Sequence, residues 1–60
     1  MDDKKMKAKL RRQFLNGLKR WPHRCEAWAA FVLRHPGATP AEVSSAGSWL
    51  FVNGFRPEDY

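Results

Sequence analysis

The chain has 60 residues, with 11 Lys and Arg against 6 Asp and Glu, for a net charge of +5, and it carries eight aromatic side chains and a single cysteine. That length allows one domain, residues 1–60, which buries only about 60% of the surface exposed on unfolding, so the core is small and self-association into a homo-oligomer is compatible with it. Cys25 has no partner for an intramolecular disulfide, and the longest apolar run, AWAAFVL at 27–33, is far short of the roughly 20 residues that span a bilayer. A membrane span and a secretory signal are therefore not expected, and a reducing, cytoplasmic setting is.

Charge is unevenly distributed. Residues 1–24 hold nine Lys and Arg and two Asp, for +7, whereas 25–60 hold two Arg and four Asp and Glu, for −2. Such a two-ended molecule is read for its partners and its solubility and not for its fold.

Three helices are predicted, at about 4–20, 23–34 and 40–53, as a small all-α three-helix bundle. In the first, Asp2 or Asp3 can cap the start. Met6, Leu10, Phe14, Leu18 and Trp21 follow at spacings of four, four, four and three, which puts them on one side of a 3.6-residue helix. That stripe needs a core. Lys4, Lys5, Lys9, Arg11, Arg12, Lys19 and Arg20 fall on the other side, with Lys7 near the apolar edge. Gly17 interrupts the pattern at a cost of about 1 kcal/mol relative to Ala. Because it lies on the apolar stripe, close approach of a neighbouring element is preferred over a break in the helix.

Pro22 ends the first helix by about residue 20 and suits the first turn of the second. The second helix sets Cys25, Trp28, Ala29 and Val32 on one face, widened by Ala27, Ala30 and Phe31, and is expected to be the most buried element. His35-Pro36-Gly37 stops it. Thr39-Pro40-Ala41-Glu42 is the strongest local signal, an N-cap threonine, a proline at the first helical position and a glutamate three residues after the threonine to close a capping box. Val43, Ala46 and Leu50 form the inward line of the third helix. Asn53-Gly54 offers a left-handed C-cap that Phe55 can pin. WLFV at 49–52 could alternatively be a short strand, but it has no evident partner. Residues 56–60 read as a flexible C-terminal tail.

Catalysis is not expected: the chain has no glycine-rich phosphate loop, no carboxylate pair with reason to share a pocket, and SSAGS is not a nucleophile elbow. His23, Cys25 and His35 match no common zinc spacing, and a buried Cys25 acting as a small hydrophobe is the better reading, so neither metal nor cofactor is expected. The N-terminal helix carries the functional signal. Small bundles usually mix charge signs on their outer faces, yet no acid lies between Lys4 and Arg24. An interfacial membrane helix would show a similar pattern, but the aromatics elsewhere in the chain can cover the apolar stripe.

Lys5, Lys9, Arg11, Arg12, Lys19 and Arg20 are accordingly the candidate contacts for a polyanion or an acidic partner. Trp49 and Phe51 flank Leu50, so the inward stripe cannot hold both, and Trp49, Phe51 and Phe55 are candidate interface aromatics. Tested as a helix-turn-helix, TPAEVSSAGSWLFVNGF fails because its second half is apolar where a recognition helix presents polar side chains. The expectation is a non-enzymatic protein-interaction factor, of adaptor or inhibitor type, that binds an acidic protein surface. The alternative is a nucleic-acid-binding regulator touching DNA or RNA phosphates through the N-terminal helix. Size and basicity fit a phage or mobile-element gene as well as a host one.

Overall fold

The computed structural model describes residues 2–60 and is an all-α three-helix bundle: α1 (Asp2–Leu18), α2 (Glu26–Arg34) and α3 (Pro40–Val52), followed by a 3-10 turn, Pro57–Asp59. The WLFV stretch is the last turn of α3 and not a strand. At α1 the N-cap position, residue 1, lies outside the described residues, and Asp3 sits in the first turn.

The first connection departs most from expectation. Lys19, Arg20 and Trp21 donate their amides three residues back, to Asn16, Gly17 and Leu18, so α1 tightens and stops at Leu18. The second helix begins at Glu26 and not near 23. Cys25 is its N-cap: the backbone there is extended, and Sγ accepts the Trp28 N–H at 3.4 Å. A half-buried capping thiol thus replaces the expected buried hydrophobe, and Glu26 in the first turn favours the helix dipole. At the far end the His35 N–H reaches Phe31 O at 3.0 Å, and Pro36 prevents continuation.

α3 forms as its local sequence dictates. Glu42 N–H donates to Thr39 Oγ1 at 3.2 Å, Thr39 N–H donates to Glu42 Oε1 at 2.7 Å, and Pro40 opens the first turn. Its end is a complete Schellman motif: Phe55 N–H bonds Leu50 O at 2.8 Å, Gly54 N–H bonds Phe51 O at 3.1 Å, and Gly54 is left-handed at φ +88°. Phe55 then stacks on Trp49, with ring centroids 6.2 Å apart, which supplies the hydrophobic pin.

The core consists of Phe14, Ala29, Val32, Ala46 and Leu50, all essentially inaccessible. Two aromatic layers extend it. Between α1 and α2, Phe31 meets Phe14, Trp21 and His35 at centroid distances of 5.6, 5.1 and 5.1 Å. Between α2 and α3, Trp28 and Trp49 meet edge to face with centroids 6.2 Å apart, and Phe55 stacks on Trp49. Two glycines permit these approaches. A Cβ on Gly17 would overlap the Phe31 ring, and one on Gly37 would overlap the Leu10 carbonyl. The Gly17 approach follows from its position on the apolar stripe; the one at Gly37 does not show in the local sequence.

The apolar stripe of α1 is only partly covered. Residues 3–9 are exposed on every side, and Met6 is 57% exposed. At 1.5 Å per residue, the 17-residue α1 is about 25 Å long, whereas the 9-residue α2 and 13-residue α3 reach about 13 and 20 Å. The first two turns of α1 therefore project beyond the core, and the molecule measures 42 × 22 × 16 Å.

The C-terminal residues, expected to trail away, fold back. Pro57 lies over Gly47, Arg34 Nε donates to Tyr60 O at 3.0 Å, and Tyr60 packs against the core while its hydroxyl donates to the Glu26 carboxylate. That hydrogen bond, backed by burial and the carboxylate's charge, holds the Tyr60 pKa above its usual value near 10.

Candidate functional site

A three-residue step along a helix turns about 300°, so Arg11 sits only about 60° from Phe14, whereas Lys5, Lys9 and Arg12 project within about 40° of the direction opposite Phe14. The structure separates them accordingly. Lys5, Lys9 and Arg12 are exposed on α1, as are Lys19 and Arg20 in the turn after it. Among the described residues, no carboxylate lies within ion-pair distance of any of the five. Lys7 shares the Phe14 side of the wheel but is exposed, and it lines a cleft of about 390 Å³ with Leu10, Arg11 and Gly37.

Arg11 is a correction to the expected contact set. Its Nη1 donates to Glu42 Oε1 at 2.7 Å and to Gly37 O at 2.8 Å, Nη2 donates to Glu42 Oε2 at 3.3 Å, and the guanidinium stands 5.3 Å from the centre of the Phe14 ring. It clamps α1 to the 37–42 segment. The forked geometry matches a carboxylate in a way that a lysine could not. The nearness of Arg11 to the Phe14 side of the wheel is the sequence signal that sets it apart from its neighbours.

Glu42 accepts from both α1 and its own capping box. The Arg11 hydrogen bonds, followed by the Thr39 N–H, lower its pKa from 4.5 to about 2, and the same contact raises that of Arg11. A carboxylate whose folded pKa is depressed contributes stability that is complete above its unfolded pKa and is lost as pH falls through the folded one. The window is therefore about 4.5 down to about 2. In urea denaturation, Glu42→Gln should be the less stable protein at pH 7 by up to about 1 kcal/mol, because Gln can still accept the Thr39 N–H but cannot pair as a carboxylate with Arg11. The gap should narrow as pH falls through that window. A constant gap across it would show that the clamp does not carry this charge.

The three candidate interface aromatics are not equivalent. Trp49 and Phe55 stack on each other and are half-buried, whereas Phe51 is 75% exposed beside Val52 at 80%. Phe51 is turned about 100° from the buried Leu50 and cannot share its direction. Leu15, 48% exposed, lies alongside the cations on α1.

His23, Cys25 and His35 have separate surroundings. His23 is exposed, Cys25 caps α2, and His35 Nδ1 accepts the Gly37 N–H at 2.9 Å while its ring lies 5.4 Å from that of Phe14. Among the described residues, no helix is long and apolar enough to cross a membrane.

Two clefts lie along α3, one between it and the α1 and α2 side chains and the other between it and Arg24 of the first connection. One, of about 290 Å³, has Leu18, Trp28 and Val32 among its walls and Phe14 at its base. The other, of about 380 Å³, is bordered by Ser44, Ser48, Trp49 and Asn53. Arg24 and Ser45 line both. Sequence reasoning passed over Arg24, whose guanidinium sits 5.3 Å from the centre of the Trp28 ring.

No protein-family model, curated protein or solved structure matches this chain.

Proposed function

We propose that this protein is a non-enzymatic interaction factor that docks on an acidic protein surface. The observation that carries the reading is the outer flank of α1, where Lys5, Lys9 and Arg12, with Lys19 and Arg20 just beyond, are exposed and have no carboxylate partner among the described residues. Such a field speeds encounter with an acidic surface and selects against basic ones. Arg11 belongs to the scaffold and not to this surface. Exposed apolar side chains, Leu15 on α1 and Phe51 with Val52 on α3, favour a protein over nucleic-acid phosphates, which offer nothing to bury them. Phe51 replaces Trp49 and Phe55 as the leading anchor.

The test is affinity capture from the native cell with three baits: wild type, Lys5/Lys9/Arg12→Glu and Phe51→Ser. All the substituted residues are exposed, so the variants should fold. A stoichiometric protein partner retained by wild type and lost by both variants is expected. Equal recovery on the charge-reversed bait would remove the reading. Capture of nucleic acid alone, falling steeply with salt and indifferent to Phe51→Ser, would instead select the phosphate-binding alternative.

A further inference from the structure

We propose that the groove formed by the two clefts along α3 seats an acidic, aliphatic peptide segment of the partner, with a carboxylate on Arg24 and a leucine-like side chain in the pocket beside Trp28. This rests on the acidic-partner reading and adds the place and chemistry of recognition.

The groove is differentiated along its length. One end is lined by Leu18, Trp28, Val32, Phe14 and Ala41, with Glu42 and Ser45 at its edge on α3, in a volume of about 290 Å³ that exceeds one aliphatic side chain. At the other, Ser44 and Ser48 offer hydroxyls suited to a peptide backbone, and Asn53 its side-chain oxygen, its Nδ2 being held by Trp49 O at 2.7 Å. Arg24 stands at the junction, common to both clefts. Its guanidinium lies near the Trp28 ring and has no carboxylate within ion-pair distance among the described residues.

Charge complementarity selects the occupant. Among the described residues the only carboxylate lining the groove is Glu42, and both its oxygens are already engaged by Arg11, one of them also by the Thr39 N–H. Arg24 is therefore the uncompensated charge, and a planar fork stacked near an aromatic is pre-organised for a bidentate carboxylate. A phosphate chain would satisfy Arg24 but would leave the apolar end empty. A wholly apolar segment would fill that end and leave the guanidinium and serines without partners. An alternation of acid and aliphatic residue satisfies both ends.

The experiment is an amide chemical-shift titration of the full chain with a synthetic Asp-Leu-Glu repeat peptide, with its Leu→Ser twin and with a single-stranded oligonucleotide of equal charge as separate probes. Shifts should concentrate at Leu18, Ser45, Ser48 and the Trp28 indole. Affinity should fall at least tenfold on Arg24→Ala, and similarly for the twin peptide. Arg24 is exposed, and an unchanged spectrum elsewhere would verify that the variant folds. Shifts confined to Lys5, Lys9 and Arg12 would overturn the groove while leaving the acidic-partner reading standing. Groove shifts that survive Lys5/Lys9/Arg12→Glu would support the groove as a site independent of the flank. Equal groove shifts with the twin or the oligonucleotide would overturn the peptide assignment, and no shift with any probe would overturn both.

Discussion

Phe14→Ala is expected to leave much of the population unfolded at room temperature. Phe14 is fully buried, stacks on Phe31 at 5.6 Å and is the one α1 side chain in the inaccessible core with Ala29, Val32, Ala46 and Leu50. Truncating a buried Phe costs about 3–5 kcal/mol, as lost burial plus the cavity left behind. At about 0.05–0.15 kcal/mol per residue, a domain of this length holds about 3–9 kcal/mol in all. The loss is thus comparable with the whole. Urea denaturation followed by far-UV circular dichroism reads it directly, with Phe51→Ala as the comparison. Phe51 lies 75% in solvent, so its truncation should stay within about 0.5 kcal/mol of wild type. A cooperative Phe14→Ala transition within about 1 kcal/mol of wild type would show that α1 is not held through this ring.

Gly37→Ala should destabilise by about 1–3 kcal/mol, the range for forcing extra volume into a packed site. The added methyl would collide with the Leu10 carbonyl and lie 3.0 Å from Phe14 Cβ. The carbonyl belongs to a helix and cannot swing aside as a side-chain tip would. Moving either backbone also pulls Gly37 O away from Arg11, so loosening should be concentrated at the α1 contact and appear as faster amide exchange in residues 10–18. Gly47→Ala is the informative counterpart. Its added Cβ would meet only Pro57 Cβ, at 3.9 Å. Replacing a helical glycine by alanine without a clash favours the fold, by up to about 1 kcal/mol. Opposite signs for the two substitutions are expected; the same sign for both would mean that Leu10 does not approach Gly37 this closely.

Much of the fold was legible because it rests on local interactions. The Thr39–Glu42 box, Pro40 at the first turn, the Gly54 cap and its Phe55 pin all involve partners a few residues apart. A three-helix reading follows from them and from the 3.6-residue stripe on α1. The start of α2 was misread because Pro22 is an acceptable first-turn residue, while a thiol is a weak capping acceptor that sequence gives little reason to choose over it. The exposed flank was legible in part: position on the wheel separates Lys5, Lys9 and Arg12 from Arg11, but charge alone does not.

The order of residues by itself determined that there are three helices, both caps of α3, and the absence of any acid among the cations of α1, since each depends on neighbours within about one or two turns. Tertiary structure alone decided that Arg11 serves Glu42 from 31 positions away, that Gly37 admits the Leu10 carbonyl, that Tyr60 returns to Glu26, and that Arg24 stands between two clefts. The physical reason is that those pairings depend on how three helices of unequal length cross. Crossing is set by the shape of the whole core, which no short stretch of the chain encodes.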